Sequence, residues 1–395
     1  MSISPTVSFD DTQIAFEIRS DQELKKSEWI FSAMKWGWLV SIGSFLTVIA
    51  LRLRLPVKGI IRKTIFHQFC GGETLEQAGK TAEILGAYRI NVILDYGVEG
   101  KDGEQTYDRN LAEFLRVIQF ASSQPHIPFI SIKITGFSRF SLLEKIHQGL
   151  PLDGPEASEF ERVRDRVRQI CRAAHENHLG VLMDAEESWI QIPVDELAVE
   201  MMEEFNRDRV TVFNTVQLYR HDRLEYLKDF LEESRQKPWT AGMKLVRGAY
   251  MEKERERAEI MHYPSPIQPD KGATDRDYND SVLYSLARLD QLSLFIATHN
   301  EASTRVAIDW MAAHQIPPGH PRVHFSQLYG MSDHLSFNLA KAGYRVSKYL
   351  PYGPVREVMP YLIRRAEENR AIGGQMSREL SLIRTEIRRR RMQPG

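Results

Sequence analysis

The chain has 395 residues, more than one average domain and enough for one α/β barrel with an extra helical segment. Apolar residues make up 42% and charged residues 27%, which suits a globular core. Lys plus Arg number 52 against 53 Asp plus Glu, so no bulk charge favours nucleic acid, and the two cysteines, Cys70 and Cys171, are too few for a disulfide framework. Their spacing is not that of metal ligands, and both read as small buried apolar residues in a reducing compartment.

The N-terminus carries Asp10, Asp11 and Glu17 and no short apolar run behind a basic start, so no signal peptide is expected. Phe9-Asp10-Asp11-Thr12 can open a helix, since Asp accepts from free backbone N–H groups. Residues 36–51 are uncharged and apolar and are followed by Arg52 and Arg54. This run falls short of the ~20 residues of a spanning helix and fits a buried or interfacial one, with a membrane-surface role left open. Residues 1–70 are expected as an N-terminal helical segment.

From about residue 72 the texture changes. Eight short apolar runs follow, at 90–96, 129–137, 180–188, 210–219, 243–250, 292–300, 323–330 and 344–353. Amphipathic stretches alternate with them, at 73–86, 109–123, 156–178, 194–205, 222–235, 280–289, 303–314, 332–342 and 355–366, with a charged helix at 251–261. Apolar strands alternating with amphipathic helices predict parallel βαβ units, because each crossover must cover the sheet. Eight such units predict a (βα)8 barrel over residues 71–370. A doubly wound sheet would want a glycine-rich phosphate turn after its first strand, and Asp95-Tyr96-Gly97-Val98-Glu99-Gly100 is not one. Residues 263–277 hold three prolines and read as a long loop, either an active-site cover or a surface insertion. The basic run ending in Arg388-Arg389-Arg390-Arg391 reads as a solvated C-terminal tail over 371–395.

Most apolar runs carry a polar residue where an ordinary core would have none: Lys133, Asp184 with Glu186 and Glu187, Gln217, Lys244 with Arg247, Thr298-His299-Asn300, and Gln327 with Tyr329. Polar residues near the C-terminal ends of barrel strands read as an active site. One alone would be ordinary hydrogen-bonded structure; six strands doing it together is hard to attribute to chance. Lys133, Lys244, Arg247, Arg364 and Arg365 outnumber the acids Asp184 and Glu368, which suits a carboxylate or phosphate ligand and disfavours a divalent metal. Tyr361, Arg364, Arg365 and Glu368 share one helix face by their spacing, as a site or as a solvated charged face. No metalloprotease, nucleophile-elbow or P-loop motif is present. The residues alone reach a barrel enzyme or binder of an anionic ligand, with the hard chemistry left to a cofactor.

Taken together these residues resemble the proline dehydrogenase family of flavoenzymes, from about Gly71 to Glu368. The resemblance rests on an ordered set: Asp184-Ala185-Glu186-Glu187-Ser188, Lys244-Leu245-Val246-Arg247-Gly248-Ala249-Tyr250, Ala297-Thr298-His299-Asn300, Gln327-Leu328-Tyr329-Gly330-Met331, Tyr349-Leu350-Pro351-Tyr352-Gly353, and Tyr361-Leu362-Ile363-Arg364-Arg365-Ala366-Glu367-Glu368-Asn369. It implies a distorted (βα)8 barrel whose last helix lies over the C-terminal strand ends. Lys133, Arg364 and Arg365 are then expected to clamp the carboxylate of L-proline. Tyr250, Leu328, Tyr349 and Tyr361 are expected around its ring, Asp184 as the acid orienting an arginine or tyrosine, and Glu368 beside them. Gln217, Lys244, Arg247, Gly248, Ala249, Thr298, His299 and Asn300 are expected to contact FAD. Lys244 stands where several relatives have Arg and keeps the charge. The implied activity is FAD-dependent oxidation of L-proline to 1-pyrroline-5-carboxylate, with electrons passed to a quinone. The implied place is cytoplasmic and peripheral at the inner face of a respiratory membrane. The chain is too short for the additional aldehyde dehydrogenase domain of some relatives. Rival readings are hydroxyproline oxidation, against which Tyr349 argues because a hydroxylated ring needs a smaller residue there, and a flavin-free binding barrel.

Overall fold

The computed structural model describes residues 7–34, 58–96, 102–371 and 373–392. The apolar run 36–51 and the turn after residue 96 lie outside the described residues. Eight strands, β1 (Ile90–Tyr96), β2 (Phe129–Ile132), β3 (Gly180–Met183), β4 (Val212–Gln217), β5 (Ala241–Val246), β6 (Leu292–Ala297), β7 (Val323–Leu328) and β8 (Val346–Tyr352), follow chain order around a closed barrel. Seven of the eight apolar runs contain one of them, and β5 begins at Ala241, just before its run at 243–250. Their pairing is parallel, with Ile93 of β1 opposite Tyr349 of β8, Thr215 of β4 opposite Lys244 of β5, and Lys244 opposite Phe295 of β6. The fold is the expected (βα)8 barrel.

Parallel neighbours need crossovers, and the amphipathic stretches supply them. Helix Glu104–Ser122 buries Tyr107, Asn110, Phe114, Val117, Ile118 and Ala121, three or four residues apart along one face. Helix Gly154–Glu176 is opened by Asp153, whose side chain accepts from the Glu156 N–H while the Glu156 side chain reaches back to the Asp153 N–H. Asp11 accepts from the Ile14 N–H at 3.0 Å and opens the short helix Thr12–Ala15, as the Asp-rich start predicted.

The chain divides into two compact units, one of residues 1–97, 299–301 and 326–395, the other of residues 98–298 and 302–325. In the first, β1 pairs with β8, and the last helix, Gly373–Met392, packs on helix Asp21–Met34 through a core that includes Leu24, Phe31, Phe69, Leu380 and Ile383. In the second, Phe129, Phe213, Phe295 and His324 form an aromatic layer, with the Phe295 ring stacked on His324 at 4.6 Å between centroids.

Two expectations are corrected. The loop over 263–277 is shorter, because Asp270 accepts from the Ala273 N–H at 2.7 Å and starts helix Lys271–Leu286. The three prolines set the irregular part, and the capping aspartate ends it. The loop is tied to the exit of β4 by His221 N–H to Pro266 O at 3.0 Å and Gln268 N–H to Tyr219 O at 2.7 Å. The basic C-terminal run is not a solvated tail. It belongs to helix Gly373–Met392, which buries Leu380, Leu382, Ile383 and Ile387. Two of its cations are matched: Arg389 and Arg390 both reach the buried Glu386 at 2.8 Å, and Arg390 also reaches Asp21.

Candidate functional site

Six consecutive strands end on a residue of the expected set. Lys133, Asp184, Arg247 and Thr298 directly follow β2, β3, β5 and β6, and Gln217 and Leu328 are the last residues of β4 and β7. This is the end of a (βα)8 barrel where catalytic groups gather.

In the second unit, β5 carries Lys244 into the interior, where it is 3% exposed. An ammonium there needs a counter-charge. It donates to the carboxylate of Asp184, sixty residues earlier in the chain. Asp184 is thus engaged by a lysine, a partner that the resemblance did not anticipate. Arg247 is held on three sides: Nε donates to Asp275 Oδ1 at 2.8 Å, Nη1 to Thr298 Oγ1 at 2.7 Å and Nη2 to Ser303 Oγ at 2.8 Å. Its guanidinium also lies 4.3 Å from the centroid of the Tyr278 ring. Gly248 has φ +137°, and a Cβ there would stand 2.4 Å from the Tyr219 ring, so this backbone tolerates only glycine. The Tyr219 ring thus lies against the Cβ side of Gly248, and Gly248 itself is exposed. The half-buried Ala249 and Tyr250 follow, and Tyr250 precedes helix Met251–Met261.

Gln217 is buried, and its Oε1 has no hydrogen-bond partner among the described residues. Such an orphaned acceptor is costly and calls for an N–H or O–H donor. Lys133 stands at the start of the turn Ile134–Gly136. That turn is pinned by Glu186, whose carboxylate accepts from the Thr135 N–H at 3.2 Å and the Thr135 hydroxyl at 2.6 Å. Burial pushes the Glu186 carboxyl up to about 7, against the opposing pull of the Lys133 charge and the Thr135 bonds.

In the first unit, His299 links two members of the set. The Leu328 N–H donates to its Nε2 at 3.4 Å, and its Nδ1 lies 2.9 Å from the Ser332 hydroxyl. An Nε2 that accepts a backbone N–H leaves the ring proton on Nδ1 in the neutral ring. Tyr349 lies in β8, 7% exposed, and its carbonyl accepts from the Tyr329 N–H at 2.8 Å. Helix Met359–Ala371 holds Tyr361 and Arg365, each 7% exposed, with the Arg365 guanidinium 5.1 Å from the Tyr361 ring centroid. Arg364 and Asn300 are half-buried. The Glu368 side chain lies outside the described residues. The structure thus brings Lys244 to Asp184 and Arg247 to Thr298 in one unit, and His299 to Leu328 and Arg365 to Tyr361 in the other. Sequence reasoning missed Lys348, fully buried in β8, and Glu379, 5% exposed. A lysine inside the apolar run 344–353 was the same signal as Lys133 and Lys244; Glu379 sits in the run taken for a tail.

A closed (βα)8 barrel with polar and charged side chains at the C-terminal ends of its strands defines a barrel enzyme. The proline dehydrogenase family model matches residues 78–378. Among curated proteins, the chain is 36% identical to the carbapenem antibiotics biosynthesis protein CarD of Pectobacterium carotovorum subsp. carotovorum, over 82% of this chain and 83% of that one. It is 32% identical to the mitochondrial proline dehydrogenase 1 of Arabidopsis thaliana, over 93% and 83% of the two chains. It is also 32% identical to the hydroxyproline dehydrogenase of Xenopus laevis, over 97% and 90%. Among solved structures, proline utilization A (PutA) from Bdellovibrio bacteriovorus, inactivated by N-propargylglycine, superposes with a TM-score of 0.71 at 19% identity, a likeness of fold. The match covers 90% of this chain and 38% of that longer one. The chain belongs to the proline dehydrogenase family.

Proposed function

We propose that this protein oxidises L-proline to 1-pyrroline-5-carboxylate with FAD as its cofactor and a quinone as the final acceptor. The observation that carries the reading is the run of six strands, β2 to β7, that each end on a residue expected at the site. The residues fit a flavin. Gln217 Oε1 is a buried acceptor awaiting a donor, which an N–H of a flat heteroaromatic ring supplies. Lys244 and Arg247 add fixed positive charge on and just past β5, and Thr298 and His299 follow β6. When bound, FAD supplies the acceptor for the two electrons that leave the ring carbon beside nitrogen.

The chain's own groups do the rest. Lys133, Arg364 and Arg365 hold the proline carboxylate, Arg365 with its guanidinium already held at the Tyr361 ring. Tyr250, Leu328, Tyr349 and Tyr361 form walls against the pyrrolidine ring and keep water from it. Glu368 belongs to the same helix as the two arginines. Lys244 and Arg247 favour negative charge developing on the cofactor, and each is pre-set by its own carboxylate partner, so neither needs to reorganise. Delivery to a quinone brings the enzyme peripherally to a respiratory membrane. No helix among the described residues is long and apolar enough to cross one.

The second reading is hydroxyproline oxidation, favoured by the likeness to the Xenopus laevis enzyme over 97% of this chain. The buried tyrosine at 349 favours proline, since a 4-hydroxyl needs room and a polar partner. The test is turnover with a soluble quinone analogue, with the pyrroline product trapped chemically, using L-proline and trans-4-hydroxy-L-proline side by side. Greater kcat/KM for L-proline is expected. Preference for the hydroxylated substrate selects the second reading, and product formation with neither overturns both.

A further inference from the structure

We propose that Glu379 is a positioning residue for the candidate site, acting with Lys348 through the segment 328–333 to hold Leu328 and His299 in place. The inference rests on the reading of those two residues as substrate wall and cofactor contact. The stretch Tyr329-Gly330-Met331-Ser332 joins the end of β7 to helix Asp333–Lys341 without regular structure of its own, so its backbone polar groups must find partners elsewhere. Lys348 Nζ donates to Met331 O at 2.6 Å and reaches Leu328 O at 3.5 Å. Gln68 donates to Gly330 O at 2.9 Å, and the Tyr329 N–H to Tyr349 O at 2.8 Å. Lys348 is neutralised by Asp333 at 2.9 Å, and Asp333 by Arg19 at 3.2 Å.

Ser332 is the strained point. It is fully buried, and its φ is +51°, a left-handed conformation that a non-glycine residue rarely adopts. Such a residue persists where its surroundings over-determine it. Two contacts do so. Its N–H donates to Glu379 Oε2 at 2.9 Å, and its hydroxyl meets His299 Nδ1 at 2.9 Å. His299 Nε2 in turn receives the Leu328 N–H. One carboxylate from the last helix therefore fixes the residue that orients His299, and His299 closes the path back to Leu328. The buried Glu379 gains an N–H donor and Ser332 gains an acceptor, so neither is left unsatisfied.

The test uses full-length protein carrying Glu379→Ala, Glu379→Gln or Glu379→Asp, with Arg384→Ala as the control. Arg384 lies on the same helix and makes an exposed ion pair with Glu28. Two readouts are taken: amide hydrogen exchange over residues 326–336, which needs no activity, and KM against kcat for L-proline in the flavin-loaded enzyme. Loss of one buried hydrogen bond between the Glu379 carboxyl and the Ser332 N–H amounts to about tenfold. Glu379→Ala is expected to speed exchange about tenfold and raise KM about tenfold while kcat stays within about threefold. Glu379→Gln keeps an acceptor oxygen and is expected to return both readouts to within about threefold of wild type. If the alanine variant does not fold, Glu379→Asp, which keeps the carboxyl but shortens the reach, is expected to speed exchange and raise KM at least about threefold. Wild-type exchange and KM in Glu379→Ala, or in Glu379→Asp if alanine does not fold, overturn the proposal. So does a glutamine variant as impaired as the alanine one, or an Arg384→Ala variant that reproduces the effect. Wild-type protein that oxidises neither proline nor hydroxyproline fails the functional reading instead, and the exchange result still decides the positioning claim.

Discussion

Replacing Lys244 with Met separates two roles of one buried charge. The side chains are similar in length, so the change removes the ammonium and little packing. What stays behind is Asp184, whose side chain is 17% exposed. Breaking a buried pair by removing one partner costs about 3–5 kcal/mol, and residual hydration of Asp184 lowers the expected loss to about 2–3 kcal/mol. Asp184→Asn alone strands the ammonium, which is 4% exposed, and is expected to cost at least as much. The double variant has no stranded charge, and its stability is expected within about 1 kcal/mol of wild type. Flavin content behaves differently. If Lys244 serves the cofactor, Lys244→Met lowers flavin retention, and the double variant does not restore it, because the cation is still missing. The assay pairs denaturant unfolding with the flavin released per protein on denaturation. A double variant that recovers flavin together with stability would show that Lys244 serves only its partner and not the cofactor.

Arg365→Met is expected to raise KM for L-proline by far more than it lowers flavin content, because it removes a charge-assisted hydrogen-bonding group worth about 2–4 kcal/mol; equal loss of flavin would move Arg365 to the cofactor side. Tyr349→Ser is expected to weaken proline binding by about 1–3 kcal/mol, the worth of the apolar packing it removes, and to raise the ratio of kcat/KM for 4-hydroxyproline over proline; an unchanged ratio would remove Tyr349 from the ring wall. Glu186 gives a pH signature. Its carboxyl is raised to about 7 in the folded chain from an ordinary value of 4.5, so the folded state binds the extra proton in between. The stability of its neutral form is present below pH 4.5 and is lost as pH rises through about 7. Glu186→Gln escapes that loss, so its stability relative to wild type should improve between pH 5 and pH 8 by on the order of 3 kcal/mol. The same difference at both pH values, read from denaturant unfolding, would contradict the assignment.

The barrel was legible because each strand is short, apolar and bounded by a polar residue; β1 and the charged helix Met251–Met261 match their runs at both ends. The strand-end residues were legible for the same reason, since Lys133, Gln217 and Thr298 interrupt apolar runs. Pairings were not, because they join distant positions: Lys244 finds Asp184 across 60 residues, and Arg19 finds Asp333 across 314. The last helix was misread because its arginines outnumber Leu380, Leu382, Ile383 and Ile387, and charge counting cannot see that Glu386 is buried among them. The loop at 263–277 was overextended because proline signals persist to Pro269, one residue before the aspartate that caps the next helix. Nothing in the sequence places the Tyr219 ring against Gly248; the fold does.

Whether this barrel oxidises L-proline through a bound flavin is decided by an anaerobic titration of the purified protein with L-proline while its flavin absorbance is followed. The oxidised band is expected to bleach, with 1-pyrroline-5-carboxylate formed in equal amount. A band that L-proline leaves unchanged while a chemical reductant bleaches it, or protein that carries no flavin band, would contradict that expectation.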